Sequence, residues 1–184
     1  MLNNMSLREN YKTMVVPKLI ERFGQKNRHS VASFEKITLN IGLGPGLKDA
    51  KYLEAAEKTL QRISGQRPVK TKARKAISAF KIREDMVVGM KVTLRGKRMW
   101  YFLDKLINIT FPRVRDFRGL PRTGFDTHGN YSVGFREHLA FPEIHSDEIE
   151  TVHGLQIVIT TTAKTPEEGL TLLENIGFPF QKPL

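Results

Sequence analysis

The sequence predicts an α+β two-layer sandwich: a mainly antiparallel sheet, helices on one face, and a long basic hairpin loop. Three observations lead there. Segments near residues 36–41, 68–71, 88–95, 131–135 and 155–161 alternate apolar and polar side chains or read as short strands. Segments between them repeat apolar residues at helical spacing. Helices that follow strands and cover one sheet face give a layered α+β architecture.

In chain order, Ser6-Leu7-Arg8-Glu9 reads as a capping box. Leu7, Tyr11, Met14 and Val15 then follow helical spacing. Pro17 either kinks this helix or starts a second one, and Gly24 is its stop. In Lys36-Ile37-Thr38-Leu39-Asn40-Ile41 the three apolar residues share one face of a strand and the polar ones the other. Gly42-Leu43-Gly44-Pro45-Gly46 is a loop. A helix follows with Leu53, Ala56, Leu60 and Ile63 on one side and Gly65 after its end. Pro68-Val69-Lys70-Thr71 is a short strand. Val88, Met90, Val92 and Leu94 alternate with Gly89, Lys91, Thr93 and Arg95 as another. Residues 72–86 between them are basic and aperiodic, so they are expected as a protruding loop, and loops of this length in small domains are usually functional. Lys97 to Asn108 is a helix with Met99, Phe102, Leu103 and Leu106 inward, ended by Pro112. Tyr131, Val133 and Phe135 alternate, as do Leu155, Ile157, Ile159 and Thr161. Thr165-Pro166-Glu167-Glu168 has a cap, a proline at the first helical position and a glutamate at the third, so a last helix runs to about Gly177. Residues 1–184 are expected as one domain, with 1–5 as a flexible N-terminus.

The 184 residues carry a net charge of +11, and 40% of them are hydrophobic, enough for a core rather than a disordered basic tail. Charge is clustered. Residues 67–98 hold 11 basic and 2 acidic side chains, whereas residues 137–184 hold 2 basic and 8 acidic. A basic patch beside an acidic region steers a polyanion to one face. With no cysteine, a disulfide framework, a cysteine nucleophile and a thiolate zinc site are excluded. Met99-Trp100-Tyr101-Phe102-Leu103 is far too short to span a membrane, and the N-terminus has no apolar signal core, so a soluble, cytoplasmic protein is expected.

Enzyme motifs fail on detail. The glycine loop after the first strand is G-x-G-x-G with a proline inside, not the G-x-G-x-x-G of a dinucleotide site, and no Walker loop is present. His29, His128, His138, His145 and His153 include no i, i+4 pair and no H-E-x-x-H. Glu137-His138, and His145 with Asp147, read as surface neighbours or core-edge polar groups. Asp126-Thr127-His128-Gly129-Asn130 reads as a turn before a strand. No catalytic, metal or cofactor residues are assigned. An RNA-processing enzyme on a basic platform would need a positioned acid, base, nucleophile or metal, and no tight constellation offers one. A free RNA chaperone would bind without a preferred target.

Nucleic acid fits better. Lysine and arginine neutralise phosphates and release counterions. RNA is preferred to DNA because no helix-turn-helix, zinc finger or continuous basic helix is present. RNP1 and GXXG strings are also missing, so recognition is expected through backbone, shape and 2′-hydroxyl contacts. Asn40, Gln66 and Thr93 are neutral donors suited to phosphate and ribose. Lys36, Arg67, Lys91 and Arg95 supply charge around them. Lys72, Arg74, Lys75, Lys81 and Arg83 make the loop basic, and Arg113, Arg115 and Arg118 form a second basic stretch.

Several strings in fixed order then carry a resemblance. They are Glu35-Lys36-Ile37-Thr38-Leu39-Asn40-Ile41-Gly42-Leu43-Gly44, Ile63-Ser64-Gly65-Gln66-Arg67-Pro68, Thr71-Lys72-Ala73-Arg74-Lys75, Phe80-Lys81-Ile82-Arg83, and Lys91-Val92-Thr93-Leu94-Arg95-Gly96. Pro112 to Gly119, Gly129-Asn130-Tyr131-Ser132, Phe141-Pro142-Glu143-Ile144, Ile159 to Lys164 and Phe178-Pro179-Phe180 complete the set. From about residue 7 onward the chain resembles the large-subunit ribosomal protein five family, the universal 5S-rRNA-binding ribosomal protein, in its bacterial or organellar form. The resemblance implies the family's α+β fold and a place in the central protuberance. It implies 5S rRNA contacts at Asn40, Gln66 and Thr93. It implies a loop at about 72–86 reaching toward peptidyl-site tRNA. Further implied partners are 23S-type rRNA, neighbouring large-subunit proteins and a small-subunit head protein, with no membrane or DNA. The chain departs from the family pattern at Met1 to Met5, at Pro45-Gly46, and at Glu84-Asp85-Met86, where two acids weaken a direct phosphate contact.

Overall fold

Each alternating segment has one apolar face to bury, and pairing them satisfies their backbone groups. A computed structural model describes residues 5–25, 27–46, 49–144 and 152–181. Of the expected flexible start at residues 1–5, residues 1–4 lie outside these, as does the His145 and Asp147 pairing, and Met5 is exposed. The protein is α+β, built on a five-stranded antiparallel sheet. Its strands are β1 (Phe34–Gly42), β2 (Val69–Lys72), β3 (Val87–Leu94), β4 (Tyr131–Phe135) and β5 (Leu155–Thr161), in the order β2-β3-β1-β5-β4. β2 and β3 pair antiparallel, with Val69 opposite Lys91 and Thr71 opposite Gly89, and the register shifts between Thr71 and Lys72.

The first helical path, α1, runs through Leu7–Asn10, Tyr11–Val15 and Val16–Phe23. The capping box at Ser6 and Glu9 forms as the sequence predicts, and Gly24 ends the helix in the left-handed region at φ 62°. The middle turn is a π-turn, in which the Val16 amide reaches back to the Tyr11 carbonyl. Pro17 follows at once. A proline ring inside an α-helix strikes the carbonyl four residues back, and the wider turn moves that carbonyl aside. Pro17 is thus accommodated inside one continuous helix.

The same device corrects a second expectation. Helix α3 covers Gly96–Lys105, then a π-turn at Leu106–Thr110, then Phe111–Arg113. Pro112 does not end this helix. It sits in the turn after the Phe111 amide bonds to the Leu106 carbonyl, and the chain becomes extended only at Val114. The π-turn also moves the buried face by one position, so Thr110 and Phe111 are buried and Ile109 is exposed. Helix α2 (Ala50–Ser64) starts at Asp49, whose carboxylate accepts from the Lys51 amide, and stops at Gly65 with φ 63°. Helix α4 (Pro166–Ile176) is capped by Thr165, whose hydroxyl accepts from the Glu168 amide.

The chain forms two compact units, each from separated stretches. Unit 1 comprises Met1–Ile37, Leu94–Val133 and Val158–Leu184. Here Tyr11, Phe34 and Trp100 form an aromatic triangle with ring centroids 5.3–6.3 Å apart, and the Tyr11 hydroxyl donates to the Ala32 carbonyl at 2.9 Å. The expected turn before β4 is present. Asp126 accepts from the amides of His128 and Asn130 at 2.9 and 2.8 Å, and Asn130 Oδ1 accepts from the Thr161 amide at 2.9 Å. This turn presses Gly129, at φ 75°, against Gly169 of α4 so closely that a Cβ on Gly169 would lie on the Gly129 carbonyl and 2.8 Å from its Cα. Unit 2 comprises Thr38–Thr93 and Gly134–Ile157, and its core includes Leu39, Ile41, Leu60, Met90, Val92 and Phe141.

Candidate nucleic-acid interface

Strand alternation decides what the open side of unit 2 presents. On β1, Ile37, Leu39 and Ile41 are wholly buried, which turns Thr38 and Asn40 outward. On β3, burial of Met90, Val92 and Leu94 turns Lys91 and Thr93 outward, and Gly89, itself buried, lies on the same side of the strand. β2 adds Val69 and Thr71 by register, and β5 adds Gln156, which accepts from Asn40 Nδ2 at 3.4 Å. Unit 2 therefore shows a mostly polar surface, with Lys91 and the exposed Val69 among its side chains. Gly89 keeps it flat, since a Cβ there would come within 2.9 Å of Thr71 Oγ1 and 3.0 Å of the Ile41 carbonyl. Such a face lets a nucleic-acid backbone approach the sheet closely, with hydroxyl and amide donors at hand.

Gln66 and Arg67 are placed by the end of α2. Gly65 reverses the chain, Ser64 Oγ donates to the Leu60 carbonyl at 2.6 Å, and the Gln66 amide donates to Ser64 Oγ at 3.2 Å. Arg67 lies 3.8 Å from Glu57, whose other oxygen takes Lys70 at 2.8 Å. The Arg67 side chain stays 86% exposed, so its head is available to a second anion. Unit 2 thus contains Asn40, Lys91 and Thr93 on its sheet face and Gln66 and Arg67 at the end of α2. Lys36 and Arg95 belong to unit 1, with Lys36 3.7 Å from Glu35 and Arg95 at the position before α3, where its side chain makes no capping bond. Arg113, Arg115 and Arg118 are also in unit 1 and exposed.

The connection between β2 and β3 has structure of its own. The Ala73 amide donates to the Met86 carbonyl at 2.8 Å, and Ile77 and Ile82 exchange amide bonds at 2.9 and 3.2 Å around a 3-10 turn at Ser78–Phe80. Arg74, Lys75, Lys81 and Arg83 are exposed and, among the described residues, unpaired. Lys72 is paired with Asp85 at 3.3 Å.

Two features escaped the sequence reading. Phe80 stands 68% exposed at the tip of this connection, and aperiodic stretches give no burial signal. His138 and His153 are buried and stacked, their ring centroids 4.0 Å apart and their planes within 13°. His138 Nδ1 lies 3.3 Å from the His153 amide and 3.2 Å from its carbonyl. Burial lowers the affinity of both rings for a proton. The neighbouring His138 adds to the effect on His153, which is pushed down to about 4. The two residues flank adjacent strands β4 and β5, an adjacency that spacing alone does not reveal. Among the described residues, no group of three or more His, Asp or Glu could hold a metal, and no helix is long and apolar enough to cross a membrane.

Comparison with known proteins agrees with this architecture. Residues 27–83 match the family model described as ribosomal protein L5, and residues 87–180 match the model of the C-terminus of the same ribosomal family. A large ribosomal subunit protein uL5 from Caldanaerobacter subterraneus subsp. tengcongensis is 56% identical over 176 residues, covering 96% of this chain and 98% of the relative. The proteins of that name from Microcystis aeruginosa and Colwellia psychrerythraea are 52% and 53% identical, covering 97% and 96% of this chain and 99% and 97% of those relatives. By matched models over most of its length and by relatives at this identity, the chain belongs to the ribosomal protein L5 family.

Proposed function

We propose that this protein binds 5S rRNA through the polar sheet face of unit 2 and helps attach it to the central protuberance. Membership of the family makes the protein a ribosomal protein of the large subunit, a structural component and not an enzyme. The observation that carries the finer reading is the open face of β1 and β3. Asn40 and Thr93 stand outward there beside Lys91, with Gln66 and Arg67 placed by the end of α2. Lys36 and Arg95 in unit 1, and the arginines at 113, 115 and 118, add phosphate contacts to 5S or 23S-type rRNA. The basic connection between β2 and β3 contacts peptidyl-site tRNA. Neighbouring large-subunit proteins and a small-subunit head protein are the protein partners in this reading.

The test is a titration of the purified protein against 5S rRNA and a size-matched structured RNA at several salt concentrations. A 5S preference that persists at high salt is expected. Equal affinities collapsing together with salt would leave counterion release as nearly the whole interaction and would remove the assignment. Asn40→Ala and Thr93→Ala are each expected to weaken 5S binding by about 1 kcal/mol, the usual net contribution of one hydrogen bond. Unchanged affinity in both would take the sheet face out of the site. Neutralising Lys72, Arg74 and Lys75 together is expected to spare isolated 5S binding and to reduce tRNA retention on assembled ribosomes. Loss of 5S binding in that variant would place the connection in the primary RNA site instead.

A further inference from the structure

We propose that the tip of the β2–β3 connection is a stacking anchor for an unpaired base of a structured RNA, with Phe80 as the stacking ring. This rests on the reading of the connection as RNA-facing and adds a mode of contact to it. The cations of the connection account for phosphate attraction. They do not account for a phenylalanine held out in water.

The observations converge on the tip. Phe80 is 68% exposed and Ile77 beside the turn is 45% exposed, although the chain buries most of its other large apolar residues. An exposed aromatic side chain forgoes the gain of burial, so a fixed one calls for a partner. This one is fixed. The paired amide bonds of Ile77 and Ile82 close the turn, and the Lys81 amide donates to the Ser78 carbonyl at 3.0 Å. Lys81 holds the left-handed region at φ 54°, which costs a non-glycine residue energy and sets the direction of the turn. At the base, the Ala73 amide bonds to Met86 and the Asp85 amide to Ala73, with Asp85 also left-handed at φ 62°. The Phe80 ring makes no aromatic contact with any described residue.

The surroundings identify the occupant. Arg74, Lys75, Lys81 and Arg83 lie within six residues of the ring in sequence, all exposed and without an ion pair among the described residues. A protein surface seeking Phe80 and Ile77 would have to be apolar at its centre and acidic around it. RNA offers both at once, since an unstacked base has an apolar π-face and is flanked by its own phosphates. A ring carried on a braced turn among cations thus captures a base already out of the helix stack, while a paired base offers no free face.

The test compares two RNA probes binding to the full-length protein: a stem closed by a loop of unpaired purines, and the same stem as a blunt duplex. The wild type is expected to prefer the looped probe by about tenfold, in the range that one stacked base contributes. This preference should survive high salt, because stacking releases no counterions. Phe80→Ala is expected to lose most of it and Phe80→Trp to keep or raise it. Phe80→Leu, which retains apolar volume without a π-face, should behave like the alanine variant. Phe80→Ala retaining the preference, or Phe80→Leu matching the wild type, would overturn the proposal, and the latter would point to a protein partner. Affinity of Phe80→Ala for 5S rRNA, measured alongside, should equal that of the wild type. If no variant shows a 5S preference while Phe80 still decides between the two probes, the sheet-face reading fails and the anchor stands.

Discussion

Gly169→Ala is expected to destabilise the protein by about 3 kcal/mol, the upper part of the usual range for overpacking a tight contact. In an ordinary helix interior the same change stabilises by roughly 1 kcal/mol, because alanine is the better helix former. The sign reverses here because α4 crosses the turn before β4 at Gly169. A Cβ would meet the carbonyl, the Cα and the carbonyl carbon of Gly129. The turn has nowhere to retreat. Gly129 is held by Thr161 Oγ1 donating to its carbonyl at 2.9 Å, and Asn130 by its bonds to Asp126 and Thr161. Urea denaturation measures the loss as a lower midpoint at unchanged slope. Gly134→Ala is the control. A Cβ there meets nothing within 4 Å, so a change within about 0.5 kcal/mol is expected. Equal midpoints for the Gly169 variant and the wild type would mean that the two backbones do not pack as described.

Acid should weaken the fold through His153. In the unfolded chain a histidine titrates near 6.5, whereas burial beside His138 holds His153 down to about 4. A base whose proton affinity is depressed by folding leaves stability intact above the unfolded value, where both states are neutral. Below it, the unfolded chain takes up a proton that the folded protein refuses. Stability then falls by about 1.4 kcal/mol per pH unit until the folded value is reached, of order 3 kcal/mol in all. His138 is shifted in the same direction, by burial, with Glu137 opposing the shift. The ring has little relief available. His153 Nδ1 reaches only the Gly154 carbonyl, at 3.4 Å, Nε2 has no hydrogen-bond partner among the described residues, and Tyr52 meets the ring edge-on at 6.3 Å. Unfolding free energy measured across this window should show the slope in the wild type and a much flatter profile in His153→Phe, which keeps a stacked ring without a titrating group. Parallel profiles would remove His153 as the source.

The sequence shows those parts of the fold that repeat within a few residues. The capping box at Ser6, the left-handed stops at Gly24 and Gly65, the Thr165 cap and the alternation of β1, β3 and β5 are local chemistry, and the structure has each of them. What lies beyond a local window was not legible. Pro112 reads as a terminator because a proline gives no sign that a π-turn precedes it. The stacking of His138 on His153 depends on β4 and β5 being neighbours, and alternation says which residues face inward, not which strands meet. The outward position of Asn40 and Thr93 could be read from their strands. Gln66 and Arg67, by contrast, owe their placement to the reversal at Gly65 and to Ser64. Phe80 was hidden for a different reason. An aromatic residue in an aperiodic stretch looks like a core residue until the backbone around it is known.

The two π-turns bear on how this chain can change length over evolutionary time. Each is a helix carrying one residue more than an α-helical path between the same ends, and each is followed at once by a proline. Deleting one residue from either turn would return the path to α-helical register and drive the ring of Pro17 or Pro112 into the carbonyl four positions back. The proline therefore works as a ratchet. While it is present the surplus residue cannot be lost in a single step, although point substitutions on the exposed sides of both helices remain open to drift.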